Sequence, residues 1–416
     1  MDAKTIVLII FIGLYALVLT RKIRLSILGG AAVLLLLLLQ LVGYREAICE
    51  LIDWDVLGIY WGFMMVSQVF MESRVPELLA NRILQIAKTE KYALVMICAL
   101  TAFLSAFMQN VGVVLMMAPV AIATARRLES SLFPYLVSVA ISSNVVTTVT
   151  MVADPPAIIL ALRTGMNFFD FYWFQGRIGL GIISLAGTFA ALGSLLYIFR
   201  HMTKRLEIAR ESLTVNWRPA LLFFGGVLAL ALAPEIRIRP GWVGLAVGMI
   251  ALWMGRGHLK KMIVEFDWDS FLFVTSIFVL IGAVSKYGIL SDATKAIAAS
   301  GVRAPGFLLA FVTWISVLFS AIIDNVPYTL LMIPVCRELS ELSGISAWPL
   351  LYGMIVGTGI GGNITPVGAT ANVFACGILE KNGCKIRLGE YLKISLPFTL
   401  AAVGAAHLLL HFIWLR

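Results

Sequence analysis

Long stretches of the chain are apolar on every side of the helix that they predict. Residues 31–39, two alanines and a valine followed by a row of leucines, leave no polar face on a helix. A helix that is apolar all round belongs in a protein core or in lipid. We therefore predict an all-α polytopic membrane protein. The apolar spans lie near 4–20, 25–42, 56–71, 92–125, 134–162, 178–199, 219–233, 241–255, 270–285, 306–336, 347–379 and 393–415.

The composition supports membrane lipid as the surroundings of the chain. Hydrophobic residues make up 60% of the sequence and charged residues 13%, whereas a soluble protein carries about 25% charged residues. The sequence has no P-loop, and its five cysteines lack metal-ligand spacing, so we expect neither an enzyme nor a cofactor. We assign the net charge of +9 to cytoplasmic loops rather than to a nucleic-acid partner. A basic cluster follows the first span instead of preceding it, which argues against a cleaved signal peptide.

The two halves of the chain are copies of one another. Asp53-Trp54-Asp55 recurs as Asp267-Trp268-Asp269. Residues 105–120 recur at 320–335, an offset of 215, and eight of these 16 positions are identical without a gap. The predicted units are a first repeat at 1–199, a basic cytoplasmic linker at 200–218 and a second repeat at 219–416.

If each half crosses the membrane an odd number of times, the second half has the opposite orientation in the membrane to the first. If span 92–125 is a re-entrant hairpin that enters and leaves on one side, each half crosses five times. Inverted repeats that meet at the midplane are the usual plan of secondary transporters. With both termini outside the cytoplasm, about two thirds of the 32 Lys and Arg residues fall on the inner side, as the positive-inside rule requires. We therefore predict two inverted repeats of five crossings each in the cell (inner) membrane, with a re-entrant hairpin and a broken helix per repeat. The amphipathic segments 75–88 and 288–299 are predicted to be interfacial helices.

Four polar clusters interrupt the apolar spans at repeat-related positions, 109–112, 147–156, 324–327 and 361–372. A broken helix at membrane depth persists only where it is buried in protein or lines an aqueous cavity. One such cluster can simply join or kink helices, but four favour a binding site. Helix N-termini at the site suit an anion or a neutral oxyacid, and C-terminal carbonyls suit Na⁺ or a protonated group. The predicted substrate-binding residues are Asn110, Thr147, Thr148, Thr150, Asn325, Gly362, Asn363, Thr365 and Asn372.

Two carboxylates, Asp154 and Asp324, are predicted to lie at membrane depth, where such groups usually mark an ion or proton path. Each occurs in only one repeat, because Asp324 aligns with Gln109 and Asp154 with Ala369. Both are candidates for the group that couples transport to protons. The alternative for Asp154 is a cap on the helix that begins with two prolines. We favour the coupling role for Asp324 and expect Asp324→Asn to abolish coupled transport without unfolding the protein.

At these motifs the sequence resembles the ion transporter superfamily, and within it the ArsB/NhaD-type permeases, which include arsenite permeases and P-protein-like carriers. The resemblance implies a transport bundle of two hairpins and two broken helices that moves like an elevator or rocks against a scaffold. It also implies a homodimer, as in distant symporters, and a soluble ATPase subunit, as in some arsenite permeases. The first hairpin reads Gln109-Asn110-Val111-Gly112 where these families more often have an Asp-Asn tip, which puts Na⁺ coupling in doubt. The resembling residues are Ser105-Ala106, Asn110-Val111, Ala153-Asp154-Pro155-Pro156, Asp324-Asn325-Val326-Pro327, Ile333-Pro334, Gly361-Gly362-Asn363, Thr365-Pro366 and Gly368-Ala369-Thr370-Ala371-Asn372.

The leading hypothesis from the sequence is a secondary active transporter for proton-coupled efflux of a metalloid oxyacid, arsenite or antimonite. Asn and Thr side chains suit a small neutral polyhydroxy molecule, and the four clusters contain no Lys or Arg to capture a multivalent anion. The alternatives are a Na⁺/H⁺ antiporter that uses both aspartates, and a Na⁺-coupled carboxylate or sulfate transporter. In each case the partner is a small ion or oxyacid with H⁺ or Na⁺ as the coupling ion.

Overall fold

The helices follow the same order in both halves of the chain, so that each helix of the first half has a counterpart ten helices later. The computed structural model describes residues 2–20, 22–152, 154–205, 214–299 and 304–415. The first-half helices are α1 (Ala3–Thr20), α2 (Leu25–Leu38), α3 (Tyr44–Glu46), α4 (Trp54–Glu72), α5 (Val75–Ile86), α6 (Glu90–Ser105), α7 (Asn110–Arg127), α8 (Leu132–Asn144), α9 (Pro155–Thr164) and α10 (Leu180–Ile198). The second-half helices are α11 (Arg218–Leu232), α12 (Pro240–Met254), α13 (Leu259–Glu265), α14 (Trp268–Lys286), α15 (Ile289–Ala299), α16 (Pro305–Ser320), α17 (Asn325–Ser343), α18 (Ala347–Gly361), α19 (Thr370–Lys381) and α20 (Leu388–Trp414).

Short elements lie between these helices, among them 3-10 turns at Phe169–Phe171 and Arg256–His258. A two-stranded antiparallel ribbon, β1 (Trp173–Phe174) and β2 (Arg177–Ile178), joins α9 to α10. A π-helical turn, Ala47–Leu51, follows α3, and a 3-10 turn, Gly362–Ile364, follows α18. The predicted linker 200–218 includes residues 206–213, which lie outside the described residues.

The all-helical character predicted from the sequence is confirmed, and the number of crossings stays a prediction. Among the described residues, α10, α14 and α20 are long and apolar enough to span a membrane by themselves. Six other apolar helices are shorter, and a helix of 15 residues is only about 22 Å long against roughly 30 Å of hydrocarbon. The long predicted spans are each divided into two helices, as in the case of span 92–125, which contains most of α6 and α7. Helices α5 and α15 occupy the segments that were predicted to be amphipathic helices.

The two halves are interlocked, because the fourth helix of each half packs on the second helix of the other half. Helix α4 crosses α12, and α14 crosses α2. Glycines permit the first crossing: a Cβ added to Gly62 would lie 1.9 Å from the carbonyl oxygen of Gly244. The backbones therefore touch directly at this point, as at other small-residue helix contacts in membranes.

The paired Asp-Trp-Asp motifs stabilise both crossings. The first aspartate of each motif caps its own helix, since Asp53 accepts a hydrogen bond from Val56 N and Asp267 from Ser270 N. The last aspartate caps a helix of the opposite half. The Asp55 carboxylate accepts from Gly241 N at 3.1 Å and pairs with Arg239, and the Asp269 carboxylate accepts from the backbone N–H groups of Leu25 and Ser26 at 3.2 and 3.0 Å. Each of these carboxylates satisfies N–H groups that have no partner within their own helix.

Each half also contains a tight helix–turn–helix hairpin that is fixed by the same hydrogen bonds. Ser105 Oγ donates to Asn110 Oδ1 at 2.7 Å, and the repeat-related Ser320 Oγ donates to Asn325 Oδ1 at 2.7 Å. The C-terminal carbonyl of the first helix in each hairpin accepts a threonine hydroxyl from the neighbouring broken segment: Ala106 O from Thr150, and Ala321 O from Thr365. The repeat detected in the sequence therefore extends to individual hydrogen bonds.

Candidate substrate cavity

Four helices begin at one small cavity between the two halves. The cavity has a volume of ≈ 80 Å³, and its wall contains the first residues of the repeat-related helices α7, α9, α17 and α19, together with Leu25 at the start of α2. These are the second helices of the two hairpins and of the two broken segments. Because the first N–H groups of a helix lack intrahelical partners and its N-terminus carries partial positive charge, four such termini create a site for oxygen atoms that accept hydrogen bonds.

Two asparagines, Asn110 and Asn325, place amide groups at this cavity from repeat-related positions. Each side-chain oxygen is held by the serine of its own hairpin. In the described part of the chain, neither side-chain nitrogen donates a hydrogen bond to a protein acceptor. Asn110 is 9% exposed and lines the cavity, so its NH₂ group is available to donate to a substrate oxygen.

Three carboxylates also line the cavity: Asp154, Asp324 and Asp267. Asp324 caps α17, where its Oδ1 accepts from Val326 N at 3.1 Å. Asp154 lies at the corresponding position before α9, but its side chain makes no capping hydrogen bond. Capping a helix was the alternative role considered for Asp154. Asp324 performs that role at the start of α17, whereas the Asp154 side chain does not cap α9. Within the described residues, no protein group donates a hydrogen bond to the Asp154 carboxylate.

The cavity wall is acidic and has no compensating base. Among the lining residues that the structure describes there is no Lys, Arg or His. Carboxylates that lose water without gaining a cationic partner are costly in their charged form, on the order of several kcal/mol each. The cavity therefore favours states in which protons or a small cation balance the carboxylates.

Beside the cavity, Asn144 at the end of α8 links the second broken segment to the first. Its Nδ2 donates to Asn363 Oδ1 at 2.9 Å and to Asn372 Oδ1 at 3.0 Å. The Nδ2 atoms of those two asparagines donate in turn to backbone carbonyls, those of Ile141 and Gly362 among them. Asn363 and Asn372 are fully buried, and neither lines the cavity, whereas Asn144 does.

The threonines and the glycine among the predicted substrate-binding residues lie behind the cavity wall. Thr147 donates to Asn144 O, and Thr148 Oγ1 lies 2.7 Å from Ser184 Oγ. Thr150 and Thr365 donate to the hairpin carbonyls described above, and Gly362 O accepts from Asn372. Their hydroxyl and carbonyl groups hold the unwound chain in place. Of the eleven residues predicted for the site, Asn110, Asn325, Asp154 and Asp324 line the cavity.

Several lining residues were not among the predicted site residues. Asp267 and Ser270 reach the cavity from the start of α14, and Tyr60 reaches it from α4. Tyr60 Oη accepts from Gln109 Nε2 at 3.4 Å, next to the hairpin tip. The repeated Asp-Trp-Asp motif, Asp267-Trp268-Asp269 in the second half, was the available signal for Asp267.

Comparison with known proteins places the chain among transporters. Residues 15–357 match a family model described as citrate transporter. An uncharacterized transporter of Mycobacterium tuberculosis is 30% identical over 386 residues, which cover 88% of this chain and 87% of the relative. An uncharacterized transporter of Synechocystis is 24% identical over 93% of this chain and 92% of its own length. The P protein of Homo sapiens is 24% identical over 97% of this chain, which corresponds to 59% of that larger protein.

Proposed function

The chain belongs to the citrate transporter family and is a secondary transporter, and from that membership we propose that it carries a small oxyacid across the membrane together with protons. The observation that carries this proposal is the acidic cavity at the starts of four helices. Its carboxylates lack a basic partner among the described lining residues, so each turnover requires protons to balance them.

Asp154 is the proposed proton carrier, in place of Asp324, for which the sequence alone favoured the coupling role. Asp154 receives no hydrogen bond from the described protein, so its carboxylate depends on solvent, a proton or the substrate for stabilisation. Asp324 already accepts a backbone N–H from Val326, so its carboxylate has a protein donor that Asp154 lacks. The two acids therefore differ in environment, and the acid without a protein donor suits the role of the group that binds and releases a proton.

For the substrate we propose first a neutral metalloid oxyacid, arsenite or antimonite. The amide donors of Asn110 and Asn325 and the helix N-termini suit its oxygen atoms, and the carboxylates suit its hydroxyl hydrogens. A cavity of ≈ 80 Å³ is small beside the roughly 300–1,000 Å³ of sites for drug-sized ligands. This substrate would place the chain with the ArsB-type permeases that the sequence resembles.

Citrate or another small carboxylate is the second candidate, and the family model supports it. Four helix N-termini also favour an anion. A carboxylate would have to enter with protons or cations, because the described lining has no basic side chain to offset its charge. A Na⁺/H⁺ antiporter without an organic or metalloid substrate is the remaining alternative.

The matching order of helices in the two halves supports a transport mechanism based on inverted repeats at 1–199 and 219–416. In this proposal the two hairpins and two broken helices form the moving bundle, in an elevator-like or rocking motion. The interlocked pairs α4–α12 and α14–α2 belong to the scaffold, which provides the surface for a homodimer. Both termini lie outside the cytoplasm of the cell (inner) membrane, and a soluble ATPase subunit would approach the linker 200–218.

The test is solute flux in proteoliposomes with and without an imposed pH gradient, in Na⁺-free buffer. Arsenite, antimonite and citrate are supplied separately, and a further sample receives Na⁺ alone. Gradient-driven flux of arsenite or antimonite supports the first candidate, and flux of citrate alone supports the second. Proton movement driven by Na⁺ with no other solute would replace both with the antiporter.

A further inference from the structure

A second cavity follows the central one along the same helices. Helix α14 lines the central cavity with Val274 and the second cavity with Phe278, and α17 does so with Val326 and Leu330. Four residues of helix rise by about 6 Å, so the two cavities are consecutive. The second cavity is larger, at ≈ 410 Å³, and we call it the basic vestibule.

The basic vestibule contains three cationic side chains, and two of them lack a close carboxylate. Lys286 is paired with Glu46, whose two oxygens lie 2.8 Å from its Nζ. Arg163 approaches Asp53 only to 3.9 Å. Arg337 forms no ion pair with a carboxylate in the described part of the chain. Most of the guanidinium N–H groups in the vestibule are therefore free to bind a solute.

The two arginines are held close to each other despite their like charges. Arg337 Nη2 donates to the backbone carbonyl of Arg163 at 2.6 Å. The Arg163 guanidinium lies over the ring of Phe278, with its Cζ 5.9 Å from the ring centroid. Two planar guanidinium groups fixed in one cavity match the oxygen atoms of a carboxylate or phosphate, which arginine binds through paired hydrogen bonds.

The corresponding crevice in the first half does not carry this excess of charge. This crevice lies against α7, as the basic vestibule lies against α17. It is lined by two arginines, Arg74 and Arg127, and by an equal number of glutamates, Glu77 and Glu265. Arg74 Nε donates to Glu77 Oε2 at 3.0 Å. Of the described residues that line the basic vestibule, Glu50 is the one acidic side chain. Among the described lining residues, basic side chains therefore outnumber acidic ones in the basic vestibule and not in the crevice of the first half.

We propose that Arg163 and Arg337 form a binding site for a small oxyanion in the basic vestibule. Arg163 lies nine positions after Asp154 along α9, which puts the site about 14 Å from the proton carrier of the central cavity. The site captures an anion outside the acidic cavity and does not depend on which solute that cavity carries. Its ligand chemistry is a carboxylate or phosphate group, supplied either by a dissolved anion or by an anionic lipid headgroup.

The experiment measures equilibrium binding of labelled citrate and labelled inorganic phosphate to the purified full chain in phosphatidylcholine nanodiscs. Arg337→Gln and Arg163→Gln should each weaken binding about tenfold, because each removes one charged guanidinium group and the paired hydrogen bonds that it donates. Arg163→Gln retains the backbone carbonyl that Arg337 contacts, so it removes the charge and leaves that link intact. Arg127→Gln is the matched control in the opposite crevice and should bind as the wild type does.

Two further samples distinguish a dissolved anion from a lipid headgroup, and binding in the basic vestibule from binding in the central cavity. Phosphatidylglycerol added to the nanodiscs should displace the probe if the site takes a lipid headgroup, and should leave it bound if the site takes a dissolved anion. Asp154→Asn should retain the binding even where it stops transport. Unchanged affinity in both arginine variants, or no binding of either probe by the wild type, would overturn the proposal.

Discussion

Asn144 provides a sharp test of how the broken helices are held together. In Asn144→Leu a side chain of similar size replaces the amide, so the change removes hydrogen bonds without opening a large cavity. Asn363 Oδ1 and Asn372 Oδ1, both in fully buried residues, then lose the donor that they share. We expect the variant to fold less stably and to bind substrate more weakly.

The expected magnitude follows from counting unpaired polar atoms. Each buried acceptor without a donor costs about 1–3 kcal/mol. The substitution creates two such acceptors, but it also removes Asn144 Oδ1, which is itself buried without a partner among the described residues. The net loss in the free energy of unfolding should therefore be about 1–3 kcal/mol.

The assay is unfolding of the purified protein in mixed micelles as the SDS fraction is increased. Ser138→Ala is the matched control on the same helix, because Ser138 Oγ is buried and has no hydrogen-bond partner in the described chain. That control should be neutral or slightly stabilising. If Asn144→Leu and Ser138→Ala were equally stable to within about 0.5 kcal/mol, the asparagine cluster would not hold the broken segments.

Two further predictions concern the contacts between the halves. Asp269→Ala should destabilise the protein by about 2 kcal/mol or more, because the backbone N–H groups of Leu25 and Ser26 lose a charged acceptor. Gly62→Ala should cost about 1–3 kcal/mol, because its Cβ would overlap the backbone of Gly244 and force α4 away from α12. Both values are measured by the same SDS titration.

Matched controls keep these two predictions specific. Asp269→Asn retains one of the two oxygen acceptors at the same place and should lose less stability than the alanine variant. Gly13→Ala places a methyl group where no atom lies within 4 Å and should be tolerated. Equal losses for Asp269→Asn and Asp269→Ala would mean that the cap is unimportant, and a harmless Gly62→Ala would mean that the two helices are not in close contact.

The internal repeat explains why much of this fold was predictable. An offset of 215 pairs Ser105 with Ser320 and Asn110 with Asn325, and the structure forms the same 2.7 Å hydrogen bond in both hairpins. Breaks in the helices were also predictable, because Pro, Gly and Asn in an apolar span rarely have another reason to occur together. The exact helix ends were less predictable: the polar cluster at 147–156 indicates a break in the apolar span 134–162, but it does not indicate that α8 ends at Asn144.

The candidate site was predicted only in part, because a sequence does not indicate which polar groups satisfy one another. Thr150 and Thr365 have the residue type of a substrate ligand, but their hydroxyls donate to backbone carbonyls. Asp267 lies far from the polar clusters in sequence and reaches the cavity through the packing of α14. Asn144 is fixed by two residues from the other half of the chain, a contact that no local pattern contains.

The most direct test of the account is the effect of Asp154→Asn on solute accumulation driven by a pH gradient in proteoliposomes. The variant keeps the shape of the side chain and removes the group that binds and releases a proton. We predict that it loses gradient-driven accumulation and still exchanges labelled for unlabelled solute across the membrane, since exchange needs no net proton movement. Accumulation at the wild-type rate in Asp154→Asn would contradict the central claim that this carboxylate couples transport to protons.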